Sequence, residues 1–346
     1  MAILVTGGAG YIASHTILSL IEQGNEVIII DNLSNSYYDS LLKIKEITGC
    51  DCLFYKGDIL DKKLLLKIFD ENNITAVMHF AGAKSVSESV IRPLQYYRNN
   101  VSGTFSLVEA MEESGVENLI FSSSATVYGE PKIIPVNESC AIGGTTNPYG
   151  TSKLFVENFL RDYSKASPNF KTIVLRYFNP IGAHSSGKIG EDPNGIPNNL
   201  MPFICQVAIG KQKTLKIYGN DYPTKDGTGI RDYIHVMDLA EGHVAALNNI
   251  NQGANYRVYN LGTGIGYSVL ELLEAFQKVT TRRVPYVFTK RRSGDIAECW
   301  SDPTKAYEEL GWKARRGLED MIRDAWNWQQ KIQMDLRKFN KNETIY

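Results

Sequence analysis

Along the first half of the chain the apolar positions switch repeatedly between short continuous runs and helical spacing. Ile3-Leu4-Val5-Thr6 is a short buried-type strand, followed by Gly7-Gly8-Ala9-Gly10-Tyr11-Ile12-Ala13 and then by Ile17, Leu18, Leu20 and Ile21 on one side of a helix. Glu26-Val27-Ile28-Ile29-Ile30 reads as a second strand ending in Asp31-Asn32, Leu53 to Ile59 as a third, and Ala76 to Gly82 as a fourth. A long helical segment from Leu94 to Ser114 leads to the strand Leu119-Ile120-Phe121, which delivers Ser122-Ser123-Ser124. Asn147-Pro148 suits the start of another helix. Strands alternating with helices predict an α/β fold, a Rossmann-type doubly wound parallel sheet. Past about residue 180 the alternation loosens, with Pro193, Gly195 and Pro197 breaking the pattern. The final stretch, Leu318 to Phe339, is amphipathic, and Trp326 and Trp328 on it are expected to bury against the body of the protein.

Composition narrows the class. The chain has 346 residues, 43% hydrophobic and 22% charged, enough for one large or two moderate cores, and its net charge of -1 favours neither nucleic acid nor an anionic membrane. Any phosphate site must be local. The longest apolar stretches fall far short of spanning length, and the start Met1-Ala2-Ile3-Leu4-Val5 runs into a glycine turn with no cationic leader. Five cysteines, at 50, 52, 140, 205 and 299, show neither paired nor metal-ligand spacing, so reduced thiols in the cytoplasm and no metal are expected.

The glycine turn carries chemistry. Gly7 and Gly10, with Ala13 where helix and sheet must approach, fit the dinucleotide fingerprint, as does the register Gly8, Gly10, Ala13. A lone match can equally be a tight turn. Asp31, about twenty residues on at the end of the second strand, adds a carboxylate that accepts hydrogen bonds from an adenosine ribose and repels a 2′-phosphate, which favours NAD over NADP. Asp58 could meet the adenine edge, and Lys84, after Phe80-Ala81-Gly82-Ala83, is a candidate phosphate contact. His79, between Met78 and Phe80, fits a satisfied buried histidine better than a catalyst.

Tyr149 and Lys153 stand four residues apart, so on a helix they share a face. A phenol with a pKa of about 10 becomes a base at neutral pH only if that value falls by roughly three units, about 4 kcal/mol of electrostatic stabilisation. Lys153 and a cationic cofactor could supply it, with Ser124 relaying or orienting the proton. Taken alone, the pair is also compatible with an ordinary helix face.

From Val5-Thr6-Gly7-Gly8-Ala9-Gly10-Tyr11-Ile12 to Tyr307-Glu308-Glu309-Leu310-Gly311-Trp312, the chain resembles the UDP-galactose 4-epimerases of the extended short-chain dehydrogenase/reductase family. Between these ends the resemblance rests on Asp31 to Ser36, Phe80-Ala81-Gly82, Ser122 to Gly129, Tyr149 to Lys153 and Arg176-Tyr177-Phe178-Asn179-Pro180; Ala13 departs from the usual glycine. The resemblance implies oxidation of a UDP-hexose at C4, rotation of the 4-keto sugar and return of the hydride to its opposite face, with Tyr149, Lys153 and Ser124 catalytic. It places Gly7, Gly10, Tyr11, Ile12, Asp31, Asn32, Asn35, Ser36, Asp58, Ile59, Phe80, Ala81, Gly82, Lys84, Asn99, Ser122, Tyr149, Lys153 and Tyr177 on bound NAD.

On the substrate side it implies Lys84, Ser124, Tyr149, Phe178, Asn179, Asn199, Leu200, Arg231 and Arg292 around sugar and phosphates, and Lys216, Ile217, Tyr218 and Asp295 around uridine. Cys299 stands where the family's tyrosine goes with exclusion of N-acetylated sugars, so a small residue implies that UDP-GlcNAc and UDP-GalNAc are also accepted. The expected domains are 1–180, binding NAD, and 181–346, a smaller mixed α/β region mainly binding UDP-sugar, with segments such as Arg231 to Val236 returning to the first. A homodimer is implied through the helices following residues 94 and 149. Related dehydratases and decarboxylases carry acidic residues just after the serine position, where this chain has Ala125 and Thr126. A product-releasing dehydrogenase and a non-catalytic NAD-sensing protein are the remaining alternatives.

Overall fold

A strand without a polar face needs cover on both sides, and β1 (Ala2–Thr6), buried at every position, lies inside a seven-stranded sheet. The computed structural model describes residues 2–193, 197, 199–292 and 294–343, with 335–343 described by backbone only. Met1 and Gly195 lie outside the described residues. After β1 come α1 (Tyr11–Glu22), β2 (Glu26–Asp31), α2 (Asp39–Thr48), β3 (Leu53–Lys56), α3 (Lys62–Glu71) and β4 (Ile74–His79). They are followed by α4 (Val86–Ile91), α5 (Pro93–Tyr97), a π-turn at Arg98–Ser102, α6 (Gly103–Glu113), β5 (Asn118–Ser124), a 3-10 turn at Ala125–Tyr128, α7 (Pro148–Ala166) and β6 (Lys171–Tyr177). The later elements are β7 (Asn179–Ile181), α8 (Leu200–Ala208), β8 (Leu215–Tyr218), β9 (Ile230–His235), α9 (Val236–Asn248) and β10 (Tyr256–Leu261). The last are β11 (Gly266–Ser268), α10 (Val269–Thr280), β12 (Tyr286–Thr289), β13 (Glu298–Cys299), α11 (Thr304–Leu310) and α12 (Leu318–Glu343).

The large sheet runs β10-β6-β5-β4-β1-β2-β3 with every pairing parallel. Side chains alternate across it. Ile3, Val5, Ile29 and Met78 pack with Ile17, Leu18 and Leu20 of α1 and Leu239 and Val244 of α9. Leu4, Ile28, Ile30 and Phe121 face Ile68 of α3, Leu107 of α6 and Val156 and Leu160 of α7. The strand order reverses between β1 and β4, which opens a crevice beyond the carboxyl ends of those strands. Chain from beyond residue 181 contributes to this body: β10 pairs with β6, and Leu310 and Trp312 share the core of α1 and α9.

A smaller core gathers Ile204 and Cys205 of α8, Tyr233 of β9, Leu272 and Phe276 of α10 and Met321 and Ile322 of α12. Here β9 pairs with β7, β11 and β13, and β8 pairs with β12. Among the described residues no helix is long and apolar enough to cross a membrane.

Three boundaries differ from the sequence expectation. β3 stops at Lys56 and β4 at His79, so Gly57 to Ile59 and Phe80 to Gly82 are turns at the crevice instead of strand. The expected helix from Leu94 to Ser114 is interrupted by the π-turn, which places Asn99 and Asn100 together. Consecutive residues on a regular helix point about 100° apart. The wider turn brings both carboxamide oxygens to the Ala83 N–H, at 3.0 and 2.8 Å.

Fully buried Asp232 joins β9 to two loops. It accepts hydrogen bonds from the N–H and hydroxyl of Thr263 (2.9 and 2.6 Å), the N–H of Gly264 (3.1 Å) and the N–H and hydroxyl of Ser301 (3.1 and 2.6 Å). Asp232→Ala leaves these donors buried without an acceptor and is expected to cost about 3 kcal/mol or more, read as a lower urea midpoint. A loss below about 1 kcal/mol would show that the carboxylate is not what holds these loops.

Candidate active site

The crevice holds a cavity of about 860 Å³. At its floor β1 hands over to α1 through Gly7, whose φ of 70° and close approach to Ala81 both demand glycine: a Cβ there would lie 2.8 Å from the Ala81 Cα. Gly10 occupies the N-cap without a side-chain hydrogen bond, and the first turn of α1 carries no acidic residue. That leaves an N-terminal helix dipole and its N–H groups facing the cavity, a site suited to a pyrophosphate. Ala13 is buried in the core, where its methyl group packs.

Asp31 ends β2 beside this turn. One carboxylate oxygen accepts from the Ala9 N–H (3.0 Å), the other from the Leu33 N–H (2.8 Å) and the Ser36 hydroxyl (3.0 Å). These bonds aim the carboxylate at the cavity, where the oxygen bonded only to the Ala9 N–H keeps a lone pair for a ribose hydroxyl. Asn32 donates to Asp58 at 2.9 Å, tying the ends of β2 and β3. Asn35, Asp58 and Ile59 continue the same wall.

On the far side, β5 carries Ser122, Ser123 and Ser124 to the crevice while α7 begins at an Asn147 cap, whose carboxamide accepts from the Gly150 N–H at 2.9 Å. Lys153 is buried and donates from Nζ to the Ser122 carbonyl at 2.7 Å. Burial lowers its pKa to about 8, opposed by the negative charge of Glu157. Burial pushes the Tyr149 phenol above its ordinary value, and the hydrogen bond with Ser124 pulls it the other way. The Ser124 hydroxyl also accepts from the N–H and hydroxyl of Thr126, at 3.2 and 3.0 Å. Tyr177 hydrogen bonds to His243 Nε2, and burial raises its phenol well above the usual range. His79 is buried and partnered on both nitrogens, by Thr6 at 2.7 Å and Thr104 at 2.9 Å.

All the residues expected to contact the dinucleotide line this one cavity: Gly7, Gly10, Tyr11, Ile12, Asp31, Asn32, Asn35, Ser36, Asp58, Ile59, Phe80, Ala81, Gly82, Lys84, Asn99, Ser122, Tyr149, Lys153 and Tyr177. Of the substrate set, Lys84, Tyr149 and Asn199 line it and the others do not. Lys84 and Asn199 both bond to Glu191, at 3.3 and 2.5 Å. Tyr218, Arg292 and Asp295 cluster elsewhere: the Arg292 guanidinium lies over the Tyr218 ring and pairs with Asp295 at 2.9 Å. Arg231 donates to the carbonyls of Ile230 and Ile296, and Cys299 and Phe178 are buried together with Val127, Tyr128 and Val136. Asn179 and Lys216 are exposed, Leu200 is half-buried, and Ile217 turns its side chain into the core, leaving only its main chain for a ligand.

Sequence spacing did not single out Asn100, Glu191 or Trp328. Asn100 is buried, donating to the Ala83 carbonyl (3.0 Å) and the Ser152 hydroxyl (2.9 Å); an asparagine pair in an otherwise amphipathic segment was its only sequence signal. Trp328 does pack on the body of the protein as expected, but it also lines the cavity, donating to the Glu191 carbonyl at 3.2 Å.

Comparison with known proteins agrees with this geometry. The family profile described as GDP-mannose 4,6 dehydratase matches residues 4–325. A UDP-glucose 4-epimerase of Haemophilus influenzae is 61% identical over 330 residues, 95% of this chain and 98% of that protein. The crystal structure of UDP-glucose 4-epimerase from Bifidobacterium longum in complex with NAD+ and UDP superimposes with a TM-score of 0.93 at 52% identity, covering 96% of this chain and 98% of that one. The UDP-Glc/GlcNAc 4-epimerase of Campylobacter jejuni superimposes with a TM-score of 0.82 at 37% identity, covering 95% and 99%. With identity of this level spread over nearly its whole length, the chain belongs to the UDP-glucose 4-epimerase family.

Proposed function

We propose that this protein interconverts UDP-galactose and UDP-glucose at C4, using tightly held NAD and Tyr149 as the base. The observation that carries the reading is that Tyr149, hydrogen bonded to Ser124, and Lys153 line a cavity built around an uncapped helix N-terminus and Asp31. Bound NAD⁺ would supply the hydride acceptor for C4 and, once reduced, the donor that returns the hydride to the opposite face of the 4-keto sugar. Tyr149 takes the C4 hydroxyl proton as oxidation proceeds and returns it on reduction, with Ser124 fixing the direction of that proton. Lys153, held by the Ser122 carbonyl, presents a cation to the phenol and the nearby ribose. The phenol is raised by burial when the protein is alone, so the positive charge of the loaded site must bring it back down.

Residues 181–346 are read as the part that mainly binds UDP-sugar, with Lys216, Ile217, Tyr218 and Asp295 toward uridine and Asn179, Asn199, Leu200, Arg231 and Arg292 toward the phosphates and sugar. Dehydration is disfavoured because Ala125 and Thr126 supply neither acid nor base, and Thr126 is occupied with Ser124. The five free thiols suit a cytoplasmic enzyme. Homodimerisation is supported by Ile91 and Leu94, which are 78% and 80% exposed on α4 and α5, and by Phe155 on neighbouring α7.

Four measurements follow. Incubation with UDP-galactose and no added cofactor is expected to yield UDP-glucose without accumulating NADH absorbance; NADH building up with substrate would instead identify a product-releasing dehydrogenase. Tyr149→Phe should retain NAD while kcat falls at least about a hundredfold, and near-parental turnover would remove Tyr149 as the base. If a small residue at 299 leaves room for an N-acetyl group, the parent also interconverts UDP-GlcNAc and UDP-GalNAc, and Cys299→Tyr cuts that activity at least about tenfold while sparing UDP-galactose. Equal effects on both substrates would sink that explanation. Leu94→Glu should convert a dimer to a monomer in analytical ultracentrifugation, and an unchanged sedimentation coefficient would place the interface elsewhere.

A further inference from the structure

Glu157 continues the face of α7 that carries Tyr149 and Lys153, at successive intervals of four residues. It is buried, and so is its partner Arg176 on β6. The guanidinium grips the carboxylate with two bonds, Nε to Oε1 at 3.1 Å and Nη2 to Oε2 at 2.6 Å. The Ser123 hydroxyl donates to the same Oε1 at 2.5 Å. Ser123 lies on β5 between Ser122, whose carbonyl receives Lys153, and Ser124, the partner of Tyr149. Both ends of this arrangement therefore tie the same two elements, α7 and β5, together.

A buried ion pair is a costly way to join a helix to a sheet, and an apolar contact would often serve stability as well. Arg176 even keeps one buried nitrogen, Nη1, without a hydrogen-bond partner, its guanidinium lying over the Tyr128 ring with 4.7 Å from Cζ to the centroid. Such an arrangement suits a requirement for charge and direction beside the site.

We propose that the buried Glu157–Arg176 pair, anchored to β5 through Ser123, is a positioning device for Lys153 and Tyr149, setting the height of α7 on β5 and the local field at the base. This inference rests on the proposed epimerase chemistry. Glu157 touches neither substrate nor cofactor; it acts through Lys153. Glu157 is a negative charge one helical turn beyond the ammonium, favouring the charged form of Lys153, and Arg176 offsets that charge. The other titratable groups facing this assembly are His79 of β4 toward Lys153, Tyr128 and Glu138 toward Arg176, and Tyr256 of β10, whose hydroxyl donates to the Glu157 carbonyl at 3.2 Å. His79 is neutral, its pKa lowered by burial to about 3.

The signs are opposite for the two partners. Removing the Glu157 charge leaves Arg176 alone, which disfavours protonation of Lys153 and Tyr149. Both limbs of the kcat against pH profile should then move toward acid. Removing the Arg176 charge leaves Glu157 alone and should move both limbs toward alkali.

The test uses the NAD-loaded protein acting on UDP-galactose. Glu157→Gln and Arg176→Gln are expected to displace the profile in opposite directions by about half a unit or more, with kcat reduced about tenfold or more and KM little changed. In the double variant Glu157→Gln/Arg176→Gln the profile should return to the parental position, while kcat stays low because the directed contact is gone. If a single variant with an unpaired buried charge fails to fold, the double variant and Ser123→Ala decide: both should fold and lower kcat at unchanged KM. Variants that lose thermal stability while kcat and both limbs match the parent would overturn the proposal, as would displacement of both single variants in the same direction. A parent unable to interconvert UDP-galactose and UDP-glucose would instead remove the epimerase reading, a failure visible before any variant is made.

Discussion

The hydrogen bond from the Lys153 ammonium to the Ser122 carbonyl fixes how α7 sits on β5, and the chemistry at the end of the crevice depends on that placement. A buried amine loses its hydration, and the main-chain carbonyl restores only part of it, so the charge is held less firmly than in water, with a pKa of about 8. The Phe121 ring, 4.8 Å from the ammonium, and the nearby Glu157 carboxylate favour the cation. One turn earlier on α7, half-buried Tyr149 feels the same loss of hydration with the opposite consequence, because burial favours the neutral form: protonated phenol and deprotonated amine. A productive base needs the reverse of both. The site is thus poised against reaction until further positive charge arrives, as the cationic nicotinamide of a dinucleotide bound at this end of the crevice would provide.

The other end is organised by complementary fields. The N-terminus of α1 faces the cavity without a capping side chain, offering partial positive charge to phosphates, and Asp31 directs a carboxylate to where a ribose would lie. The glycine at position 7 is required because the turn takes a left-handed φ and its backbone meets Ala81 in the turn after β4. Asn100, the π-turn and Ala83 then hold the segment after β4 at the height where it can follow the dinucleotide toward Lys153.

Much of this was legible in the sequence because its signals are local. Gly7, Gly10 and Asp31 are separated by one strand–turn–helix–strand unit, and Tyr149 and Lys153 by one helical turn, so spacing alone constrains where their side chains go. What was not legible depends on partners distant in the chain. Glu191 meets Trp328 across 137 residues, and nothing around either residue announces the other. The π-turn escaped notice because one extra residue in a helix shifts the apolar pattern by too little to read, yet it decides which way Asn99 and Asn100 point. Ile217 shows the limit of reading function by position: Lys216 and Tyr218 face outward while the strand's alternation sends Ile217 into the core. Resemblance named Tyr218, Arg292 and Asp295 but divided them between uridine and the phosphates, and no spacing rule connects them; the structure stacks Arg292 on Tyr218 and pairs it with Asp295.

The central claim is that positive charge assembled in the crevice converts a phenol held protonated by burial into a base. NMR titration of ring-labelled Tyr149, assigned by its loss in Tyr149→Phe, reads this directly in the NAD-free and NAD⁺-loaded protein. The account predicts a phenol that titrates above its ordinary value without the dinucleotide and substantially lower with it. A phenol that titrates at the same pH in both states would contradict it.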